Sequence, residues 1–337
     1  MSKYEYVPPY KITPKIITLI EQIGEMLGAL SGSANTDDLR LRRIHRIQTI
    51  HGSLAIEGNT LTEEQISTIL DGKPVIAPPR EVQEVRNTIK AYDEFQNWHP
   101  EQQKDLLKAH EMLMLGLLDA PGHYRSMGVG VGGAGGMVHV APPPGRVPEL
   151  MGNLLGWLGE TDEHALIKSC VFHYEFEFVH PFEDGNGRMG RLWQTLILSQ
   201  WNPLFSQIPV ESMVYARQQE YYNAIAESTK AAESTPFVEF MLQTIREKIA
   251  ASAEETHQVT HQVTHQVKIL LPALVDEMSR SELMQVMTLK DRVNFKRIYL
   301  DPALADGLIE MTIPDKPNSR LQKYRLTEKG RTFLENE

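Results

Sequence analysis

The stretch from His180 to Arg191, reading HPFEDGNGRMGR, lies between two apolar helical patterns and constrains the fold more than any other part of the chain. Upstream, Leu166, Cys170, Tyr174 and Phe178 recur every four residues, with Ile167 and Val171 beside them, a stripe wide enough to bury. The residue before a proline is pushed out of the α region, so the run Val179, His180, Pro181 and Phe182 ends that helix. Beyond the turn at Gly185, Asn186 and Gly187, the residues Leu192, Trp193, Leu196 and Ile197 mark a second buried helix. Its amino end faces back toward His180, and the free amides and positive dipole there form an anion site.

Each residue type in this stretch has a chemical reason to be there. The glycines lack a Cβ, so phosphate oxygens can approach the backbone, and the Asn186 amide can donate to them. Arg188 and Arg191 are neighbours on one helix face and can grip successive phosphates with planar, permanently charged forks. Asp184 offers a hard oxygen for magnesium, which takes one or two carboxylates together with the phosphates of its substrate. His180 is the group whose ordinary pKa lies near neutrality, which suits a general base. Any one of these residues alone is more often structural; together they point to phosphate chemistry.

The full string resembles the signature of the Fic family of nucleotidyl transferases, HPF, any residue, Asp or Glu, GNGR, any two, Arg, at every specified position. The resemblance implies a mainly helical core in which a histidine deprotonates a Ser, Thr or Tyr hydroxyl of a target protein. That hydroxyl attacks the α-phosphate of ATP, AMP is transferred and pyrophosphate leaves. On this reading His180 is the base, Asp184 the Mg2+ ligand, and Gly185, Asn186 and Gly187 the phosphate cradle. Arg188 is then a phosphate clamp, Arg191 the γ-phosphate clamp, and Phe182 the buried anchor of the loop.

Composition narrows the remaining classes. The chain has 337 residues, 41% hydrophobic and 23% charged, long enough for two or three globular domains. It holds no apolar run of about 18 residues, so no membrane span is expected. The start, MSKYEYVPPYKITPKI, lacks the apolar core of a secretory signal, and a cytoplasmic address is expected. The one cysteine, Cys170, reads as a buried structural thiol. A net charge of −10 argues against non-specific nucleic-acid binding by the chain as a whole.

A second constellation lies upstream, at Ser53, Glu57 and Gly58. Leu39, Ile44, Ile47, Ile50 and Leu54 recur at helical spacing before it, and Gly58 is a helix stop. Thr62 followed by Gln65 reads as a capping box opening the next helix. Glu57 is thereby expected in a last helical turn, where the dipole disfavours a carboxylate and a cationic partner is called for. Ser53, three residues, Glu57 and Gly58 also resemble the inhibitory motif of the Fic family, which implies a class II member inhibited in cis, with Glu57 set against Arg191.

Between the motifs, a glycine-dense stretch from Gly128 to Gly136 leads into Met137, Val138, His139, Val140 and Ala141. No Lys-Ser or Lys-Thr follows the glycines, so this is not a nucleotide loop of that type; a β-hairpin is expected. It resembles in position the family's flap, which pairs with the target segment by strand addition. Tyr221, Tyr222 and Asn223 fall where relatives often hold the adenine, and Tyr222 is taken as a nucleotide contact, with packing the other reading.

The carboxy-terminal third changes character. Thr256 to Val267 repeats THQV, which puts His257, His261 and His265 on one helix face. No cysteine or acidic residue completes a zinc site there, so a linker helix is expected, with Val259 and Val263 offering a self-association seam and hence a homodimer. Beyond it come helical patterns at Val267 to Met278, Ser281 to Leu289 (opened by a Ser279 to Glu282 capping box) and Arg292 to Asp301. A β-hairpin pattern follows, ending at Leu326. This order resembles a winged helix, whose nearly balanced charge leaves both protein contact and DNA readout open.

The expected organisation is a helical region over 1–110 carrying the inhibitory motif, a Fic core over 111–250, a repeat linker over 251–267 and a small α/β winged-helix domain over 268–337. The expected activity is ATP- and Mg2+-dependent AMP transfer to a protein hydroxyl, including the chain's own. The rivals are phosphoryl transfer or AMP removal on the same site, and a nucleotide-sensing winged-helix regulator.

Overall fold

Nearly every side of one helix is buried, and the rest of the first unit is built around it. The computed structural model describes residues 6–31, 39–133, 136–261, 265–289, 291–314, 316–317, 319 and 321–335, without side chains at 31, 39–40, 131–139, 253–261, 265, 293, 305 and 335. Contacts divide the chain into two compact units, residues 1–252 and 253–337. The described helices in the first are α1 (Pro14–Ser31), α2 (Leu39–Ala55), α3 (Glu63–Leu70), α4 (Pro79–Glu94), α5 (Gln103–Met114) and α6 (Val147–Glu160). They continue with α7 (Ala165–Val179), α8 (Asn186–Trp201), α9 (Val210–Ala216), α10 (Gln218–Ala231) and α11 (Thr235–His261), the last of which runs past residue 252.

Helix α7 is the central one. Leu166, Cys170, Val171, Phe172 and Phe176 are fully buried on it, and so are the polar side chains of Ser169 and His173. The sequence stripe is thus narrower than the buried surface, because polar residues inside the core do not register as apolar periodicity. Burial pushes the Cys170 thiol up to about 12, which keeps it an unreactive packing residue. Helix α8 packs along α7, with Leu192, Trp193 and Leu196 at zero exposure, and Trp193 donates its indole N–H to Pro100 O at 2.9 Å.

Helix α2 ends one turn earlier than the pattern suggests. Ile56, Glu57 and Gly58 form a capping turn beyond it, with Glu57 N donating to Leu54 O at 3.0 Å and Gly58 at φ +89°. The left-handed glycine ends the helix, so Glu57 projects from the turn rather than from the helix wall. The Thr62–Gln65 capping box that opens α3 is present in both halves.

The glycine-dense stretch forms an antiparallel hairpin of β1 (Gly130–Gly133) and β2 (Gly136–Val140), whose register shifts between Val131 and Gly132. Of the expected flap residues, Val138 and His139 lie outside the described side chains; Val140 is exposed and Ala141 is buried at the base.

The second unit contains α12 (His265–Ala273), β3 (Met278–Ser279), α13 (Arg280–Val286), α14 (Arg292–Phe295), α15 (Asp301–Ala305), β4 (Ile309–Met311), β5 (Lys323–Leu326) and α16 (Glu328–Glu335). Its antiparallel sheet has the order β3-β5-β4. The first helix stops at Ala273, short of the expected Met278, because Met278 pairs with Tyr324 as a strand. Helix α16 goes unmarked in the sequence pattern; Thr327 Oγ1 accepts from Gly330 N at 3.1 Å at its start. The repeat histidines lie outside the described side chains. Among the described residues no helix is long and apolar enough to cross a membrane.

Candidate active site

The turn between α7 and α8 is tied down by its own backbone. His180 caps α7 in the left-handed region at φ 48°, a conformation that a non-glycine residue adopts only when neighbours impose it. Arg125 imposes it. Its guanidinium donates to His180 O at 2.7 Å and Val179 O at 3.3 Å, and its backbone N–H donates to Pro181 O at 2.9 Å. The same guanidinium donates to Met127 O at 2.9 Å and Pro142 O at 2.6 Å, on either side of the hairpin. One buried arginine therefore fixes both the histidine turn and the feet of the flap. Hydrogen bonds from a charged donor contribute about 1.5 to 3 kcal/mol each.

The far end of the turn is closed by Asn186. Its Nδ2 donates to Phe182 O and its Oδ1 accepts from Phe182 N, both at 2.9 Å. Both ends of the side-chain amide engage the loop, so the donors Asn186 has left for an anion are its backbone N–H and the second hydrogen on Nδ2. Phe182 is fully buried and stacks on His110, with centroids 3.7 Å apart and planes 3° from parallel. His110 Nδ1 accepts from Gly122 N at 2.8 Å, so its proton sits on Nε2, which donates to Asp184 O at 3.0 Å. Burial holds this imidazole neutral by lowering its pKa to about 4.

Gly185, at φ +82°, is the N-cap of α8, and a Cβ there would lie 2.7 Å from Met114 Sδ. Asp184 points outward, its side chain 44% exposed, with Oδ1 accepting from Gly185 N at 2.6 Å and Oδ2 3.6 Å from an Arg80 nitrogen. Arg188 is buried, 3.4 Å from Asp184 Oδ1 and 3.7 Å from Glu84 Oε1, and its Nε has no hydrogen-bond partner. That donor is one an anion would satisfy.

The N-terminus of α8 is already filled. Glu57 Oε1 accepts from Arg191 Nη2 at 2.7 Å, and Arg191 also donates to Ser53 O at 2.8 Å and Ser53 Oγ at 3.4 Å. A Cβ at Gly187 would overlap Glu57 Oε1, so the carboxylate lies directly on the glycine amide turn. Burial pulls the Arg191 pKa down, but the Glu57 carboxylate and its hydrogen bond outweigh that, and the net shift is upward. The turn carrying Glu57 is held by Gln218 Nε2, which donates to Ile56 O at 2.8 Å, and by Asn59 Nδ2, which donates to Glu84 Oε2 at 2.9 Å. Thr60 donates through both N and Oγ1 to Glu81 Oε2, at 2.6 and 2.8 Å.

Comparison with known proteins decides the family. A family model described as Fic/DOC matches residues 100–198, and one described as Filamentation induced by cAMP protein Fic-like, C-terminal domain, matches residues 265–327. The crystal structure of a Fic family protein from Desulfovibrio desulfuricans G20 is 51% identical, covers 96% of this chain and 99% of its own, and superposes with a TM-score of 0.74. The chain belongs to the Fic family. Among curated relatives, a protein named Protein adenylyltransferase Fic from Culex quinquefasciatus is 28% identical over 71% of this chain and 49% of its own length. A probable protein adenylyltransferase from Aquifex aeolicus is 31% identical over 52% of this chain and 48% of its own. The chain spans about half the length of these curated relatives.

The two Fic motifs thus meet in space across 134 residues of sequence. Of the tyrosines, Tyr221 is buried, with its hydroxyl 3.1 Å from His173 Nε2, so it is a core residue. Tyr222 is half-buried, and burial together with the Glu57 carboxylate pushes its phenol upward, which puts it near the turn carrying Glu57. Sequence reasoning missed Arg125, His110 and Glu84. Arg125 and His110 act on backbone carbonyls and amides, a role that leaves no spacing signal.

Proposed function

We propose that this Fic protein transfers AMP from ATP to a Ser, Thr or Tyr hydroxyl of a target protein and of itself, and that Glu57 inhibits it in cis. The reading rests on one observation: the anion site at the start of α8, beside His180, holds the chain's own Glu57 carboxylate bound to Arg191. A phosphate is the ligand that such a glycine turn with two arginines accommodates. Glu57 and a γ-phosphate compete for the same guanidinium.

In this mechanism His180 accepts the proton of the acceptor hydroxyl, and its orientation is set by the carbonyl grip of Arg125. The amides of residues 186 and 187, that of Gly185 once it leaves Asp184 Oδ1, and the free Nε of Arg188 hold the inner phosphates, and Arg191, released from Glu57, holds the γ-phosphate. Asp184 would hold Mg2+. Its exposed single carboxylate fits an ion that takes most of its other ligands from phosphates and water. Bound there, the ion would neutralise charge on the departing pyrophosphate. The exposed hairpin is assigned to the target segment, which it would receive by strand addition.

The experiment is automodification with ATP labelled in turn at the α- and γ-phosphate. Label entering from the α-position and not from the γ-position supports AMP transfer; the reverse pattern replaces it with phosphoryl transfer. Removal of AMP is a second reading, because Glu57 is one-third exposed and bonds Arg191 through Oε1, which leaves Oε2 to orient a water. Release of AMP from a premodified target by wild type but not by Glu57→Gly would favour it. We assign the C-terminal unit, read as a winged helix, to protein recruitment; sub-micromolar, sequence-selective duplex binding by the full chain at physiological salt would reassign it to DNA.

A further inference from the structure

Helix α7 carries a buried carboxylate that none of the steps above uses. Glu177 lies one turn before His180, with Oε2 3.8 Å from His180 Nδ1 and Oε1 3.9 Å from His173 Nε2. Its side chain is 7% exposed, and Oε1 has no hydrogen-bond partner. Helix α8 crosses it at Gly190, where a Cβ would lie 2.8 Å from Oε1, so nothing stands between the carboxylate and the helix that carries Arg191.

The two histidines beside Glu177 are not equivalent. Gln194 spends its Nε2 on Cys170 Sγ at 3.3 Å, which leaves its Oε1 to face His173 Nδ1 at 2.7 Å. The His173 proton is therefore on Nδ1, and its Nε2 accepts from the Tyr221 hydroxyl at 3.1 Å. His173 has no proton to give Glu177. His180 Nδ1 is the donor within reach.

We propose that Glu177 is a positioning residue for His180: its carboxylate holds the imidazole in the tautomer with the proton on Nδ1 and balances the imidazolium formed on catalysis. This rests on the AMP-transfer reading above. In that step the acceptor oxygen bonds to the α-phosphorus as the bond to the pyrophosphate oxygen breaks. The hydroxyl proton goes to His180 Nε2, and the positive ring then faces Glu177 across Nδ1–H. A separation of 3.8 Å is longer than a hydrogen bond, and catalytic contacts of this kind commonly tighten when substrate binds.

The surroundings set when Glu177 is charged. His173 and His180 face it from its own helix, Arg191 from α8, Tyr221 from α10 and Glu57 from the inhibitory turn. Burial raises its pKa to about 8, with Arg191 pulling it down and Glu57 pushing it up. Burial thus shifts Glu177 toward its neutral form while Glu57 is docked, and its strength as an acceptor for His180 grows as pH rises. The pair titrates as a unit.

The test uses the full chain and two readouts. In ¹⁵N-histidine spectra of the ATP-free wild type, His180 is expected to respond in two steps, one of them near the Glu177 value; Glu177→Gln should abolish that step, and Glu177→Asp should retain one. His173 remaining neutral throughout reports that the core of each variant is intact. In a Glu57→Gly background, Glu177→Gln should lower kcat by at least about tenfold, leave KM for ATP within about twofold, and remove the alkaline rise of the pH profile, with Glu177→Asp intermediate. A His180 titration curve and a kcat that are the same with Glu177→Gln would overturn the proposal. If no variant transfers AMP, the function reading fails on its own, and the histidine titration still decides the pairing.

Discussion

The histidine turn and the turn carrying Glu57 meet at Arg191, yet they are held in opposite ways. The histidine turn is fixed from inside. Asn186, Arg125 and His110 bond its backbone at both ends and are themselves buried, so the loop keeps its shape whether or not a phosphate is present. The Glu57 turn is fixed from outside, by Glu57 on Arg191, by Gln218 on Ile56 O and by side-chain bonds from Asn59 and Thr60 to α4. The Thr60 bonds are exposed and Glu57 itself is one-third exposed, so water and a competing anion can reach this turn. On the proposed reading, a rigid site beside a releasable plug would allow regulation without refolding the histidine turn.

The largest effect should come from the rigid side. In a Glu57→Gly background, His180→Ala is expected to lower AMP transfer on the order of a thousandfold while leaving ATP affinity within a few-fold, because the imidazole activates the hydroxyl and holds no phosphate. Retention of the full rate, measured with α-labelled ATP, would remove His180 from the mechanism.

The releasable side should show the next largest change, in the opposite direction. Misplacing a reacting group by about 1 Å costs on the order of a hundredfold, so freeing Arg191 by Glu57→Gly should raise automodification by about that factor. The Glu57→Gly, Arg191→Ala double variant should not regain it, since the γ-phosphate clamp is then missing. Equal rates for wild type and Glu57→Gly would sink the inhibitory assignment and with it the contrast between the two turns.

How much of this was legible beforehand divides along the same line. The helical class, the helices on either side of the turn, and the capping boxes at Thr62 and Ser279 were readable because each is a local pattern of a few residues. The signature from His180 to Arg191 and the Ser53, Glu57, Gly58 motif were readable through family resemblance, and the structure brings them to one ion pair. The scaffold was not readable. Arg125 grips carbonyls up to 55 residues away, and His110 bonds a carbonyl 74 residues away, through contacts that depend on tertiary placement alone. Asn186 shows the converse: its place in the signature suggests a phosphate donor, and the bonds its side chain makes in closing the loop carried no sequence signal. The Val267 to Met278 helix was read too long because an apolar run does not distinguish the end of a helix from a short strand.

Asn186 supplies a third test, of stability. Asn186→Ala leaves the Phe182 N–H and C=O buried without partners, each costing about 1 to 3 kcal/mol, so the first unit should lose about 2 to 6 kcal/mol in urea denaturation, and transfer should fall with it. Unchanged stability would mean that the loop does not depend on its internal bonds, which removes the distinction between the turns.

The smallest expected effect is the most discriminating, because it loosens the plug without touching Glu57, Arg191 or any group assigned to ATP. Asn59 Nδ2 donates to Glu84 Oε2 at 2.9 Å and to Glu81 O at 3.2 Å, while Asn59 Oδ1 accepts from Leu61 N at 3.1 Å inside the turn itself. In Asn59→Ala the two Asn59 bonds to α4 are lost, but Thr60 still bonds Glu81, Gln218 still holds Ile56 O and Glu57 still reaches Arg191. A net loss of about 1 kcal/mol from docking shifts the docked-to-released ratio by about fivefold, and automodification should rise by the same factor, well short of Glu57→Gly. Adding Asn59→Ala to Glu57→Gly should then produce no further rise, since a turn without its carboxylate inhibits nothing whether docked or free. A rise of equal size in both backgrounds would show that Asn59 acts on the catalytic loop, through the Glu84 carboxylate that also lies 3.7 Å from Arg188, rather than on the release of Glu57.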